Sequence, residues 1–286
     1  MAASSILPFA SAANFAIVPL APTIGAEIRG IDLRQAFSNE IRDAIKAVLL
    51  KYKVIFFRDQ DITPEQHSAF AARFGSFYIP PGIPAEDRIP HIQKIAIDFK
   101  SSDVRRQPVP TTIEAGFHTD TSWRLVPSWG AVLRAVNVPD VGGDTIWVDG
   151  AAAYAGLPEE TKARIADLHV THDARSRLRQ VGFDYPIVAH PMVRTHPETG
   201  EKILWVSFNQ RPHVIGVDIA ESRELLKLVL DQYRIPEHQV RFSWRPHSMA
   251  FWDNRACVHY GVCDYGDYPR LLHRILIADE AQYANL

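Results

Sequence analysis

The segment Phe117–Thr121 reads Phe-His-Thr-Asp-Thr and places a histidine and a carboxylate two residues apart, at His118 and Asp120. Side chains two apart on an extended segment project from the same face, so both of these can reach one point in space. A further histidine, His259, lies far downstream. Two imidazoles and one carboxylate on one side of a metal form the facial triad of non-heme Fe(II) sites, which leaves the opposite side open. The triplet therefore predicts a metal site, provided that the fold brings His259 to it.

The composition of the 286-residue chain narrows the class of protein. Apolar residues at 47% and charged residues at 22% are ordinary for a globular protein with one sizeable core. The 31 basic and 33 acidic residues give a net charge of -2, which supplies no general attraction for a phosphate backbone or an anionic membrane. No stretch approaches the ~20 apolar residues of a membrane span. We therefore expect neither nucleic acid nor a membrane as a partner, and we expect a cytoplasmic location.

Two cysteines, Cys257 and Cys263, flank His259. Two cysteines are too few for a disulfide framework and are compatible with a reducing compartment. A zinc site built on thiolates would usually contain more sulfur at tighter spacing. We therefore interpret both cysteines as small buried apolar residues rather than as metal ligands.

Capping signals mark two helices in the first third of the chain. Ser38 can cap a helix whose apolar stripe ends at Tyr52. Thr63 opens another helix with a Thr-x-x-Gln capping box and a proline in the first turn, and Gly75 is expected to end it. Between the two helices, Val54–Phe57 is short and wholly apolar, which is typical of a buried strand.

Apolar and β-branched runs bounded by turn residues predict many short strands. They lie at residues 15–20, 24–31, 54–57, 91–97, 129–136, 145–148, 168–171, 190–194, 202–207, 239–244, 248–252, 256–259 and 271–278. Helices are few, and no βαβ alternation is present. The pattern predicts one domain over residues 1–286, mainly β with flanking helices, around a double-stranded β-helix or jelly-roll core. Residues 79–116 and 173–187 are predicted to contain lid loops.

Two further features bear on chemistry. Gly142-Gly143-Asp144-Thr145 puts a hydroxyl at the start of a strand, and Arg270 and Arg274 stand four apart in an extended segment, hence on one face. Arginine can grip a carboxylate through a planar, two-pronged contact, as an iron site that uses a keto acid requires. Each feature alone has an ordinary structural explanation, such as a turn or an ion-paired surface.

Taken together, these motifs resemble those of the taurine dioxygenase-like (TauD/TfdA) Fe(II)/2-oxoglutarate dioxygenases. The resemblance covers nearly the whole chain. The segments that carry it are Pro19–Ile28, Phe74-Gly75, His118–Asp120, Gly142–Thr145, Thr195–Gly200, Trp252–His259 and Arg270–Arg274.

The resemblance assigns roles to residues that match the family's motifs. It implies three iron ligands, His118, Asp120 and His259. It also implies that Thr145 and Arg270 hold the distal carboxylate of 2-oxoglutarate, and that Arg274 binds an anionic group of the primary substrate. The implied cofactors are Fe(II), 2-oxoglutarate and O2, and the implied reaction oxidises the substrate while forming succinate and CO2.

The chain departs from the taurine-cleaving members near the substrate. Those enzymes have a histidine and a tyrosine shortly after the Phe-Gly pair, whereas residues 78–83 here read Tyr-Ile-Pro-Pro-Gly-Ile. Glu114 stands where they have an asparagine. These departures argue against taurine. Arg274 still favours a small organic anion or zwitterion, with Glu114 either holding an ammonium group or pairing with Arg274.

Two alternatives remain at the level of sequence. Two histidines and one carboxylate also bind catalytic zinc in hydrolases, although Thr145 and Arg270 would then have no task. A non-catalytic β-barrel binding protein would require the His/Asp/His cluster to be accidental. The sequence leaves open whether the chain forms a homo-oligomer.

Overall fold

The computed structural model describes residues 15–82, 85–86, 89–97, 116–266 and 268–280. In chain order its strands are β1 (Ala16–Pro19), β2 (Ala26–Arg29), β3 (Val54–Phe57), β4 (Phe77–Tyr78), β5 (Ala85–Glu86), β6 (Ile89–Ile97), β7 (Gly130–Asn137), β8 (Thr145–Asp149), β9 (His169–His172), β10 (Val188–Pro191), β11 (Val193–Thr195), β12 (Lys202–Leu204), β13 (Gln239–Phe242), β14 (Met249–Asp253), β15 (Cys257–Gly261) and β16 (Arg270–Ile277). Its α-helices are α1 (Asn39–Tyr52), α2 (Pro64–Ala72), α3 (Gly150–Ala155), α4 (Glu159–Ile165), α5 (Arg175–Arg179) and α6 (Ile219–Tyr233).

Two main sheets organise the fold. The larger sheet has the order β1-β2-β3-β14-β7-β16-β6-β5, with β4 paired to β16, and the smaller sheet has the order β13-β8-β15. The larger sheet is mixed, because β2 and β3 are parallel while the other pairs in it are antiparallel. Two short hairpin-like pairs, β9 with β10 and β11 with β12, complete the strands. The prediction of a mainly β protein with flanking helices is confirmed.

Three apolar layers hold the sheets and helices together. Between the sheets, Phe56 of β3 stacks on Phe242 of β13 with ring centroids 4.0 Å apart, and Trp147 of β8 packs edge-on against Trp252 of β14. Helices α1 and α2 cover the outer face of the larger sheet, and α3 and α6 cover that of the smaller one. Because side chains alternate along a strand, each strand contributes one set of residues to the space between the sheets and another to a helical layer.

The local signals in the first third of the chain gave the right helix starts. The Ser38 side chain accepts a hydrogen bond from the backbone N–H of Ile41 at the start of α1. Thr63 and Gln66 form both bonds of the capping box at the start of α2, with Pro64 at the first helical position. The predicted end at Gly75 is late, since α2 stops at Ala72.

Three other predictions differ from the structure. The predicted strand 190–194 is divided: β10 pairs with β9, whereas β11 pairs with β12. The segment 173–187 contains the short helix α5 rather than loop alone. Cys257 is buried as expected, but Cys263 is exposed, so the prediction is wrong for that residue.

No helix in the described part of the chain combines the length and the apolar character needed to cross a membrane. The longest of these helices, α6, has 15 residues and presents a charged face as well as an apolar one.

Candidate active site

His118 and His259 are brought together by a backbone bridge between the segment before β7 and strand β15. The N–H of His118 donates to the carbonyl of His259 at 2.9 Å, and the N–H of His259 donates to the carbonyl of His118 at 2.8 Å. The triplet is therefore strand-like at His118, as the sequence analysis assumed. Asp120 already belongs to a turn, in which the next residue, Thr121, has a φ of 56°.

The side chains of His118, Asp120 and His259 converge on one point. One ligand atom from each residue lies within 4.8 Å of the other two. The Oδ1 atom of Asp120 is 3.9 Å from the Nε2 atom of each histidine. Asp120 and His259 are 5% and 7% exposed, so the cluster sits below the surface at the edge of a cavity.

Hydrogen bonds and neighbouring rings orient the two imidazoles. The Nδ1 atom of His118 is 2.8 Å from the carbonyl of Gly116, so Nδ1 carries the proton and Nε2 keeps its lone pair. The ring of His259 packs against Trp147 and Trp252, with ring centroids 6.3 Å and 5.0 Å away. Both imidazoles are therefore held with their Nε2 atoms toward Asp120.

The protonation states suit a divalent cation. Burial lowers the pKa of His118 and of His259, which keeps both imidazoles neutral. Burial raises the pKa of Asp120, but Arg274 and the two histidines outweigh that effect and hold it below its usual value. The Oδ2 atom of Asp120 is buried and has no hydrogen-bond partner among the described residues. Two neutral imidazoles and one ionised carboxylate with an unused oxygen fit a first-row divalent metal.

A cavity of about 120 Å³ opens beside the cluster. Since roughly 10–15 Å³ of such volume holds one water, it has room for a molecule of roughly ten non-hydrogen atoms. Its lining includes Pro80, Pro81, Gly82, His118, Asp120, Trp123, Arg177, Leu178, Val181 and Arg274. The cavity is therefore lined on one side by the metal-binding cluster and elsewhere by parts of both segments that are predicted to contain lids.

Arg274 of β16 links the cluster to the neighbouring strand β6. One of its terminal nitrogens, Nη1, forms a short ion pair with Asp120. Its Nε and Nη2 atoms both donate to the Oε1 atom of Gln93, at 2.9 and 2.7 Å. Gln93 is 1% exposed and directly opposite Arg274 in the strand register. These contacts use three of the five N–H groups of the guanidinium and leave two of them.

Arg270 and Thr145 lie on the inner faces of the two main sheets. Arg270 is two residues from Leu272, and Thr145 is two residues from Trp147, both of which belong to the core between the sheets. Arg270 is 7% exposed and donates through Nε to the carbonyl of Gly143 at 3.1 Å. The Oγ1 atom of Thr145 accepts a hydrogen bond from Trp244 Nε1 at 3.0 Å. Burial lowers the pKa of Arg270.

Glu114, the other predicted substrate contact, lies outside the described residues. Sequence reasoning missed Gln93 and Arg177, which both touch the site. Gln93 could have been found only from the register of β6 against β16, which is not a local signal. Arg177 was visible as part of the basic stretch within residues 173–187.

Comparison with known proteins agrees with this geometry. The family model described as "Taurine catabolism dioxygenase TauD, TfdA family" matches residues 16–276 of this chain. The chain belongs to the TauD, TfdA family. It is accordingly a 2-oxoglutarate-dependent dioxygenase, an oxidoreductase, and the resemblance noted from the sequence motifs is confirmed.

Several characterised members of the TauD, TfdA family are similar over most of their length. The α-ketoglutarate-dependent sulfate ester dioxygenase of Pseudomonas putida is 31% identical over 280 residues, covering 92% of this chain and 89% of that protein. The α-ketoglutarate-dependent 2,4-dichlorophenoxyacetate dioxygenase of Cupriavidus pinatubonensis is 32% identical over 281 residues, covering 92% and 97%. α-Ketoglutarate is another name for 2-oxoglutarate.

Solved structures from the TauD, TfdA family share the fold. A taurine dioxygenase from Burkholderia xenovorans aligns with a TM-score of 0.80 and 35% identity, covering 93% of this chain and 89% of that one. Dioxygenases of this type have a jelly-roll core, so the predicted core is confirmed. Its larger sheet is mixed, its smaller sheet is antiparallel, and the two are not closed into a barrel.

Proposed function

We propose that this chain is an Fe(II)-dependent member of its family that oxidises a small organic anion. The metal would be held by His118, Asp120 and His259. The observation that carries the proposal is the convergence of these three ligand atoms within 4.8 Å beside an open cavity. Two nitrogen ligands and one carboxylate with open positions are the donor set of non-heme Fe(II) oxygenases.

Thr145 and Arg270 are the proposed contacts of the distal carboxylate of 2-oxoglutarate. The Thr145 oxygen accepts from Trp244, so its own O–H remains available to donate to a carboxylate. The Nε of Arg270 donates to the Gly143 carbonyl, which fixes the plane of the guanidinium. Its terminal nitrogens are then available for a two-pronged contact with the carboxylate. The chemistry supplied when Fe(II), 2-oxoglutarate and O2 are bound is oxidative: 2-oxoglutarate yields succinate and CO2 while the substrate is oxidised, usually by hydroxylation.

Arg274 is the proposed contact for the anionic group of the substrate. Its two remaining N–H groups can take an anion next to the metal ligand Asp120. The two relatives named above act on a sulfate ester and on 2,4-dichlorophenoxyacetate, both small anions, which supports the same class here. Glu114 remains a predicted second contact.

The two segments predicted to contain lids are the proposed walls of the substrate pocket. Residues 80–82 line the cavity from the first segment, and Arg177, Leu178 and Val181 line it from the second. Water exclusion by such walls would protect the reaction from side products. We propose that both segments belong to one catalytic domain spanning residues 1–286. The cytoplasmic location stays a prediction, and the oligomeric state stays open.

Family membership favours this function over the zinc hydrolase and the binding protein that the sequence left open. The test is the release of succinate from 2-oxoglutarate by purified protein with Fe(II) or with Zn(II), with and without O2. A panel of small sulfonates, sulfate esters, carboxylates and amino acids is added in turn. We expect release that depends on Fe(II) and O2 and is stimulated by anions. Stimulation by neutral compounds alone would contradict the proposed substrate class, and turnover with Zn(II) without O2 would contradict the oxidative reaction.

A further inference from the structure

Helix α5 carries three arginines, and one of them differs from the other two. Arg175 pairs with Asp173 at 2.8 Å, and Arg179 pairs with Asp184 at 3.2 Å. Arg177, between them, forms no ion pair with a carboxylate of the described residues, and its side chain lines the cavity beside the metal cluster. The helix therefore leaves one cation without a carboxylate partner among the described residues in the lining of the proposed substrate pocket.

Arg177 lies close enough to the cluster to interact with its charges. Desolvation and repulsion by Arg274 lower the pKa of Arg177, while Asp120 acts in the opposite direction. The negative charge of Asp120 is already shared between Arg274 and the proposed metal. Arg177 is exposed, so water can solvate its guanidinium in the empty cavity. A substrate that fills the cavity displaces this water, and an anionic group on the substrate would then take its place beside Arg177.

Formal charges give the number of negative charges that the loaded site would accommodate. The two positive charges of the metal and the two negative charges of 2-oxoglutarate cancel. Arg270, Arg274 and Arg177 then contribute three positive charges. Asp120 contributes one negative charge, so the residues that the structure describes leave an excess of two positive charges for the substrate to balance.

We propose that Arg177 is a second anion contact of the substrate pocket, and that the preferred substrate is a short aliphatic dianion with one charged group on Arg274 and the other on Arg177. This inference rests on the proposed function and specifies its substrate class. Leu178, Val181 and Trp123 supply apolar lining for the spacer between the two charged groups. Room for roughly ten non-hydrogen atoms limits that spacer to a few carbons.

The probes are 4-sulfobutanoate and pentane-1-sulfonate, which are similar in length but differ in the second charge. Their dissociation constants are measured by calorimetry without O2, on protein loaded with Mn(II) and N-oxalylglycine, a combination bound in a solved structural relative. Succinate release with Fe(II) and 2-oxoglutarate gives kcat and KM for the same compounds. The variant is Arg177→Gln, and Arg179→Gln on the same helix removes the same charge at an ion-paired position as the matched control.

We expect wild-type protein to bind the dianion about tenfold more tightly than the monoanion, the effect of roughly one charge-assisted contact. Arg177→Gln is expected to lose this preference through KM, with a small effect on kcat, and Arg179→Gln to keep it. No preference in wild type, or an equal preference in Arg177→Gln, would overturn the inference and leave the proposed function standing. If no anion of the wider panel stimulates succinate release in wild type, the proposed function fails, and this inference fails with it.

Discussion

Two clusters built from the same residue types lie within a few residues of each other along β14 and β15. We call them the open cluster, consisting of His118, Asp120, His259 and Arg274, and the closed cluster, consisting of His196, Asp253, Arg255 and Glu198. Each joins a carboxylate to a histidine and an arginine in a buried setting. They differ in how much of their bonding capacity the protein itself uses.

In the closed cluster every atom of the central carboxylate has partners. The Oδ1 atom of Asp253 accepts from the backbone N–H and the Nε of Arg255, both at 2.9 Å. Its Oδ2 atom accepts from Arg255 Nη2 at 2.6 Å and from His196 Nε2 at 3.1 Å. The Nδ1 atom of His196 accepts from the N–H groups of Glu198 and Thr199, so Nε2 must carry the proton. The Asp253 carboxylate and the His196 ring therefore have no bonding position left for a ligand.

In the open cluster the protein leaves capacity unused. Asp120 Oδ2 and His259 Nδ1 are buried without hydrogen-bond partners among the described residues, and the Nε2 atoms of both histidines turn toward Asp120. Buried polar atoms without partners are costly. The buried His172 also lacks hydrogen-bond partners in the part of the chain that the structure describes, but at the open cluster three ligand atoms converge on one point. The difference teaches that unused bonding capacity, rather than residue type, separates the candidate site from the structural cluster.

The most direct test of the difference between the two clusters is to make the same Asp→Asn substitution in each central carboxylate. Asp120→Asn removes the charge that holds a divalent metal, so succinate release should fall to background. The amide oxygen still accepts from Arg274, and its NH2 group can replace the partnerless Oδ2. Arg274 loses a charged partner, as Arg255 does in the closed cluster, but it keeps the amide oxygen and Gln93 and it faces the cavity. We therefore expect the free energy of unfolding, measured with denaturant, to fall by about 1–2 kcal/mol, less than in Asp253→Asn. Near-native turnover by this variant would contradict the assignment.

Asp253→Asn should show the opposite pattern. An amide NH2 group would face a donor from Arg255 or His196, and Arg255 would lose a charged partner in a dry environment. Breaking a buried ion pair in this way costs about 3–5 kcal/mol. The measurement is the same denaturant titration, with turnover recorded at a temperature where the variant remains folded. A stability loss no larger than that of Asp120→Asn would remove the distinction between the clusters.

Arg270 extends the comparison to the 2-oxoglutarate side. Among the described residues, only its Nε donates a hydrogen bond, so Arg270 keeps unused bonding capacity as the open cluster does. Arg270→Ala should weaken 2-oxoglutarate binding about 100-fold, since a two-pronged charged contact contributes roughly 3 kcal/mol. Arg241→Ala is the control, because Arg241 is half exposed and its charge is already paired with Asp144 and Asp264. Equal 2-oxoglutarate affinity in the two variants would show that Arg270 is structural.

The smallest predicted effect is on the pH dependence of stability. It concerns His190, a buried histidine that, like His196, is hydrogen-bonded within the protein. His190 Nε2 donates to the carbonyls of Ser122 and Arg124, and burial, with Arg194 nearby, lowers the pKa of His190 to about 4. The unfolded chain takes up this proton near pH 6.5, so stability is complete above that pH and falls as the pH drops toward 4. The loss is about 1.4 kcal/mol per pH unit.

His190→Gln tests this pH dependence, because glutamine can still donate to both carbonyls but does not titrate. The free energy of unfolding of wild type should fall between pH 7 and pH 5 by about 2 kcal/mol more than that of the variant. Asp253 does not affect the pH dependence of stability between pH 7 and pH 5. Its pKa is lowered, so its contribution to the free energy of unfolding is lost only at more acidic pH. Parallel pH profiles would contradict the account of His190.

Much of the fold and the core of the site could be predicted because their signals are local. Ser38 and Thr63 mark the starts of their helices, because each side chain accepts a hydrogen bond from the backbone N–H three residues later. The His-x-Asp triplet places two predicted metal ligands within one segment. Arg270 and Arg274 could be paired because strand alternation fixes a spacing of four to one face.

The remainder depended on which strands become neighbours. The contact of Arg274 with Gln93 follows from the register of β16 on β6, and its ion pair with Asp120 follows from the turn that starts at that residue. The helix α5 has five residues, too few for a periodic pattern, so its cavity-facing Arg177 looked like loop sequence. No local rule states which of two similar His/Asp/Arg clusters is left with unused bonding capacity.

The most direct test of the central claim is the stoichiometry and affinity of anaerobic Fe(II) binding, measured by calorimetry on wild type, Asp120→Asn and Asp253→Asn under conditions where all three are folded. We predict one Fe(II) per chain for wild type and for Asp253→Asn with similar affinity. For Asp120→Asn we predict affinity lower by at least about 100-fold, since a ligating charge is lost. Undiminished Fe(II) binding by Asp120→Asn, or its loss in folded Asp253→Asn, would contradict the assignment of the open cluster as the metal site.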